Sequence, residues 1–286
     1  MSSSLAESVD QLDDWYLDRF DVDAYLARIR HPRVGPGVEA LHSLHRAHVL
    51  AIPFENVDVV LGAHRGLAPE TITDKLLLRH RGGYCYEHAL LFAAAAERLG
   101  FRVRRIISRV QPHRSGPRTH MALLLGIDGE ETRYLADVGF GAGMIAPMRL
   151  RDGDIVDQAG WPHRLTVRDG IWTLAKHTED GWEPQHAFDE SPARPVDYEV
   201  AHHYVSTHPA SPFTGRLVVM RLSDGLSRRL IDDTLTVEHA DGRIERTPVP
   251  LERLDATLRD LDVVLNASEL AELRVHLGGQ PELWSR

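Results

Sequence analysis

Apolar positions in the first third of the chain recur at helical spacing. In GVEALHSLHRAHVLAIP the residues Val38, Leu41, Leu44, His48, Val49 and Ile52 fall three and four apart, which predicts one amphipathic helix ended by Pro53. ITDKLLLRH predicts a short helix with Thr73 or Asp74 near its start. Gly82 and Gly83 then break the chain. CYEHALLFAAAAERLG is rich in alanine and leucine and predicts a helix that runs to Gly100, so Cys85 falls at its first turn.

From Phe101 the period changes. FRVRRIISRV alternates, THMALLLGI is a short apolar run, and ETRYLADVGF follows an Asp128-Gly129 hairpin signal. HRLTVRDGIWTLAKH repeats the device with Asp169-Gly170. Several short strands with tight turns must close or be covered to hide their edges, so the pattern predicts a barrel or a strongly curved antiparallel sheet. After the proline-rich ESPARPVDY, a short helix is expected around Tyr198 to Tyr204, then the strands GRLVVMRL, SRRLIDD, TLTVEHADG and RIERTPV. Two helices, LERLDATLRDL and ASELAELRVHL, close the chain, the second opened by a capping-box-like pair, Asn266 and Glu269.

Composition narrows what such a chain can do. Its 286 residues, 43% apolar, allow two or three compact units with a sizeable core. A formal net charge of −9 argues against a nucleic-acid binder, which needs a clustered basic face. No apolar run approaches the roughly 18 to 20 residues that cross a bilayer. The acidic N-terminus MSSSLAESVDQLDDWY has no apolar signal core, so the expectation is a cytoplasmic protein without a membrane partner. A single cysteine excludes an internal disulfide and a cysteine-rich zinc site, and any thiol chemistry rests on Cys85. The 17 histidines mean that no histidine is special merely by being present.

A free thiol titrates near about 8.5, and a helix N-terminus with an adjacent imidazolium can bring that to about 3.5 to 7.5. Cys85 has the helix start, and Arg81 adds a nearby cation. It needs a histidine, and the histidine needs an orienting group. His120 begins one apolar strand and Asp137 ends the next, and the hairpin through Asp128-Gly129 would set them side by side. The alternative is a small buried hydrophobe that happens to be sulphur, in a binding protein with an inert thiol. Gly82 and Gly83 are expected to allow close backbone approach and positive φ. Glu87, two residues along the helix from Cys85, points elsewhere and is read as a structural ion-pair partner of Arg81. Phe54 and Tyr86 are candidates for an aromatic pocket and equally for the core. His202 and His203 diverge as neighbours and are not read as a metal pair, so no metal is expected.

RGGYCYE, followed by THMALLL and LADVGFG, resembles the signature segments of the arylamine N-acetyltransferases in order and spacing. IPFEN at 52–56 resembles the family's early loop, and HYVSTHPASPFTGRL at 203–217 its segment near the coenzyme A cleft; the likeness spans roughly residues 50 to 220. It implies a multidomain α+β fold with a cysteine-protease-like catalytic core. A helical bundle at 1–100 would carry the nucleophile, an antiparallel β-barrel would occupy 101–200, and an α/β lid 201–286. By motif, Cys85 would be the acetylated nucleophile, His120 its base and Asp137 the orienter. Ser206, Thr207, Ser211 and Phe213 would neighbour coenzyme A, although Pro209 and Pro212 could equally make that segment a plain turn.

The implied reaction takes acetyl from acetyl-CoA to a small-molecule amine by a ping-pong cycle, in the setting of xenobiotic metabolism, with no metal and with homo-oligomer formation left open. Asparagine often stands in the family where this chain has Ala89 and His202, which bears on the acceptor pocket and its supporting hydrogen bonds. A cysteine hydrolase or transglutaminase-like enzyme would share the triad order. An amide synthase that closes a macrolactam would share the resemblance.

Overall fold

The computed structural model describes residues 15–141 and 143–279. The N-terminal stretch read as lacking a signal core lies, apart from its last two residues, outside the described residues. Among those residues no helix is long and apolar enough to cross a membrane.

The first part is helical. α1 (Val22–Ile29) is capped by Asp21, whose carboxylate accepts the Ala24 N–H at 2.9 Å. α2 (Val38–Ala51) is the helix that the stripe predicted, and it buries Leu41, Leu44, His45, His48 and Val49. A two-residue strand, β1 (Phe54–Glu55), and a single turn, α3 (Val57–Val60), follow. α4 (Pro69–Thr73) runs on as a π-helical turn, Asp74–Leu78. The helix expected to start at Thr73 or Asp74 therefore starts at Pro69, where a fixed φ and a missing N–H suit the first helical position. α5 (Cys85–Arg98) begins at the cysteine, and every side chain from Cys85 to Ala96 is buried. A helix buried on all sides belongs in a core, and α5 packs on the sheet that follows. Gly100, at φ +95°, ends it as expected.

The second part is β2 (Arg102–Val110), β3 (His120–Gly126), β4 (Arg133–Ala136), β5 (Met148–Arg149), β6 (Ile155–Asp157), β7 (Pro162–Arg168), β8 (Ile171–Thr178) and β9 (Gly181–Phe188). They form an antiparallel, nearly closed eight-stranded barrel in the order β5-β4-β3-β2-β9-β8-β7-β6. The Asp-Gly turns sit where predicted: Asp169 and Gly170 have φ +51° and +76°, as a tight two-residue hairpin demands, whereas Gly129, at φ +82°, lies within a longer loop between β3 and β4. Strand alternation divides the residues cleanly. Ala122, Leu124, Leu135, Leu165, Leu174 and Phe188 pack together inside the barrel. Met121, Leu123, Leu125, Tyr134 and Ala136 face outward into the core around α5.

α6 (Pro195–Thr207) is longer than the short helix expected, because Pro195 again opens it. β10 (Val218–Ser223), β11 (Leu226–Ile231), β12 (Thr234–His239) and β13 (Ile244–Pro248) then form a meander whose fifth strand is β1, with Phe54 opposite Met220. α7 (Leu254–Asp260) and α8 (Ala267–Gly278) cover it through Leu254, Leu258, Leu273 and Leu277, joined by Val57 and Val60 of α3. The capping box at α8 is as the sequence predicts: Asn266 Oδ1 accepts Glu269 N–H at 2.9 Å, and Glu269 Oε2 accepts Asn266 N–H at 3.0 Å.

Candidate active site

Cys85 is the first residue of α5 and 5% exposed. The approach of the barrel rim to it is tight, since a Cβ added at Gly139 would lie 2.8 Å from both Cα and O of Cys85. His120 opens β3, and Asp137 follows the last residue of β4. Leu123 pairs with Ala136, so one step further Asp137 stands opposite Ala122 and diagonal to His120, with both side chains on one face of the sheet. That face is the barrel's interior, and the two polar residues close its end above Ala122 and Leu135.

His120 Nε2 is 2.7 Å from Asp137 Oδ2. The opposite ring nitrogen is then the one that remains for the Cys85 thiol, which is close enough to favour the protonated ring. Asp137 Oδ1 accepts the Gly139 N–H at 3.3 Å. Burial alone would lower the pKa of His120, but the Asp137 carboxylate, the bond to it and the nearby Cys85 outweigh burial and raise it to about 10. Burial likewise opposes ionisation of Asp137, and the His120 imidazolium more than compensates, holding the carboxyl well below its usual range. An imidazole buried between a thiol and a carboxylate can hold and return a proton without leaving its place, which is what covalent catalysis by a thiol requires.

A sequence model of the N-acetyltransferase family matches residues 37–268. The chain belongs to the arylamine N-acetyltransferase family. It is 37% identical to the arylamine N-acetyltransferase of Mycolicibacterium smegmatis over 86% of this chain and 90% of that one. Among solved structures, the Nocardia farcinica arylamine N-acetyltransferase superposes with a TM-score of 0.85 at 37% identity, covering 91% and 95% of the two chains. The Mycobacterium marinum arylamine N-acetyltransferase in complex with CoA gives 0.83 at 33% identity, covering 90% and 98%. Enzymes so named are acyltransferases, and this chain is one.

Around Cys85, His120 and Asp137 the structure corrects two readings of the sequence. Neither Gly82 nor Gly83 has positive φ. They are glycine because a Cβ at Gly82 would lie 2.2 Å from the Pro53 carbonyl, and one at Gly83 would lie 2.6 Å from Glu87 Oε2. Glu87 is indeed scaffold, but its partner is Lys75, at 3.0 and 3.2 Å, with His64 Nε2 at 3.4 Å. Arg81 instead binds Glu55 at 2.8 Å, Asp58 at 3.2 Å and Glu269 at 3.1 Å. Of the two places open to Tyr86 the structure shows the core, where it donates its hydroxyl to the Thr119 carbonyl, and Ala89 is buried there too.

Sequence reasoning missed several histidines. His186 on β9 is fully buried, with Nε2 3.1 Å from Asp137 Oδ2, although the angle is outside the hydrogen-bond range. Ser108 pairs with His120 and Val110 with His186, so the β2 register places both imidazoles on one face. Among the described residues, His120, Asp137 and His186 form the one group whose ligand atoms, all within 4.8 Å, could hold a metal ion. Ligands on a tetrahedral zinc at about 2.1 Å stand roughly 3.4 Å apart, so the 2.7 Å pair has the spacing of a shared proton.

A second histidine chain supports the loop before Cys85. Tyr25 hydroxyl meets His48 Nδ1 at 3.0 Å, His48 Nε2 meets His88 Nδ1 at 2.9 Å, and His88 Nε2 reaches the carbonyls of Gly83 and Pro53 at 3.1 and 3.2 Å. Carbonyls only accept, so His88 and His48 each carry their proton on Nε2 and Tyr25 donates.

The four residues expected near coenzyme A lie on the last turn of α6 and the loop after it. Thr207 Oγ1 donates to the His203 carbonyl at 2.6 Å, and Ser206 Oγ lies 3.5 Å from the same atom. Ser211 is buried, donates to the Val205 carbonyl at 2.5 Å and accepts the Phe213 N–H at 3.2 Å. Phe213 reaches the site, with its ring 5.9 Å from Phe54 and 6.1 Å from Tyr84. His203 is exposed, whereas His202 is turned inward against Tyr84.

Proposed function

We propose that the chain moves an acetyl group from acetyl-CoA to an arylamine, arylhydrazine or similar amine through an acetyl-Cys85 intermediate. The observation that carries this reading is the His120 imidazole, bonded to Asp137 at 2.7 Å and with its other nitrogen left for Cys85, the first residue of a buried helix. In the first half-reaction the Cys85 sulphur forms a bond to the acetyl carbon, the bond to the coenzyme A sulphur breaks, and the leaving thiolate takes the proton held by His120. In the second, the amine nitrogen attacks the same carbon, His120 accepts its proton, and Cys85 leaves as thiolate. Asp137 keeps the imidazole aligned throughout. Backbone N–H groups at the α5 start are the donors suited to the transient oxyanion.

The relative solved with CoA supports coenzyme A as donor, and Ser206, Thr207, Ser211 and Phe213 are assigned to its cleft, with Ser211 shaping the loop. The Salmonella typhimurium relative, 36% identical, is named both arylamine N-acetyltransferase and N-hydroxyarylamine O-acetyltransferase, which suits an amine-type acceptor. The division at residues 100 and 200, the cytoplasmic setting and the role in xenobiotic metabolism belong to the same reading.

Mixing the protein with acetyl-CoA and no amine should release one equivalent of CoA and add about 42 Da to Cys85, the acyl group then leaving when an aniline is supplied. Absence of the adduct would defeat the proposal. Peptide cleavage in its place would indicate a hydrolase, and indifference to acetyl-CoA and anilines an amide synthase.

A further inference from the structure

Tyr84 immediately precedes the nucleophile, is the N-cap of α5 and is fully buried. Its polar groups are held at both ends. The backbone N–H donates to Glu87 Oε2 at 3.0 Å, and the phenol hydroxyl is hydrogen-bonded to Nδ1 of His202 on α6. A buried phenol needs an acceptor, and among the described residues Nδ1 is the one it has, so His202 is neutral with its proton on Nε2. Its surroundings agree: burial first, then the His64 ring 4.4 Å away, push its pKa down to about 4. Tyr86 and Phe213 stand edge-on to the Tyr84 ring at 5.3 and 6.1 Å and fix its plane.

We propose that His202 is a positioning residue for the nucleophile. By accepting the Tyr84 hydroxyl it locks the N-cap residue, and through it the adjoining Cys85, in the orientation that meets His120. The requirement is an acceptor at this place and not a charge. Asparagine offers a side-chain oxygen that can take the same bond. α6 also carries Ser206 and Thr207, so the tether joins the segment assigned to coenzyme A to the helix start that is acylated. The inference rests on the acyl-cysteine reading above.

The test measures CoA release in the first half-reaction over a range of acetyl-CoA concentrations, in wild type, His202→Leu, His202→Asn, Tyr84→Phe and the double variant Tyr84→Phe/His202→Leu. A displaced nucleophile should lower the limiting acylation rate by about tenfold or more in His202→Leu and Tyr84→Phe. The half-saturating acetyl-CoA concentration should stay within about twofold, because substrate binding is not what is lost. The double variant should be no slower than the slower single, and His202→Asn should restore the rate to within about threefold of wild type. Circular dichroism and thermal midpoints show whether each variant is folded; if His202→Leu is not, Tyr84→Phe and His202→Asn decide. Wild-type rates in His202→Leu, losses that multiply in the double variant, or a His202→Asn variant as slow as the leucine one would overturn the inference. Absence of CoA release from wild type would instead overturn the acyl-cysteine reading on which it stands.

Discussion

Replacing Lys75 by methionine tests the buried ionic network under the loop before Cys85. The ammonium is 2% exposed and lies 3.0 Å from Asp58 Oδ2, 3.0 and 3.2 Å from the two oxygens of Glu87, and 3.8 Å from Glu55 Oε1. Arg81 would still serve Glu55 and Asp58, whereas Glu87 would keep only the Tyr84 N–H and the His64 ring. Removing one partner of a buried pair leaves the other charge without compensation and costs about 3 to 5 kcal/mol. With a urea slope of about 3 kcal/mol/M, the unfolding midpoint should fall by about 1 M or more. A second substitution, Glu87→Gln, removes the stranded charge and should recover part of that loss. Acylation should slow as well, because the Glu87 carboxylate receives the N–H of the residue before Cys85. A loss below about 1 kcal/mol, or additive effects in the double variant, would refute the view that Lys75 and Glu87 form one desolvated unit.

Two further outcomes follow from distances and protonation states. Gly139→Ala places a methyl 2.8 Å from the Cys85 backbone and should cut the acylation rate by about 10- to 100-fold, measured as CoA release. Gly116→Ala, whose Cβ meets nothing within 4 Å, should match wild type in the same assay. The burial of His88 pushes its pKa down to about 4, below the roughly 6.5 of an unfolded chain. Its contribution is therefore present above about pH 6.5 and is lost as pH falls toward 4, by up to about 3 kcal/mol. Urea midpoints from pH 7 to 5 should fall less steeply in His88→Leu than in wild type, and equal slopes would contradict the neutral relay from Tyr25 to Gly83.

What could be read from the sequence was set by short-range physics. Alternation, an Asp-Gly turn and a helix start are local, and together they located Cys85, His120 and Asp137. Two-residue strands such as β1 and β5 carry no period, so their places in the sheets were invisible. The start of α4 carries a local signal in Pro69. The partner of Glu87 depends on how the π-helical turn packs against α5, and nothing within a few residues of Glu87 distinguishes Lys75 from Arg81. His186 lies far along the chain from Asp137 and meets it only because the end of β2 turns from β3 to pair with β9. The pair of glycines before Cys85 and the close backbone approach they allow are legible in the sequence, whereas the absence of positive φ is not, because the atoms that exclude a side chain belong to Pro53 and Glu87.

The two residues of β1 set a limit on modular redesign. Phe54 bridges Gly83, and Glu55 N–H donates to the Gly83 carbonyl at 2.7 Å, while the same strand pairs with β10 through Phe54–Met220 and Glu55–Val219. The loop before Cys85 and the last sheet are thus laced to one short ribbon. A chimera that exchanges the C-terminal third for that of a relative keeps its fold lines only if the new β10 fits this ribbon, and a deletion there unravels the support of Cys85 from the far side.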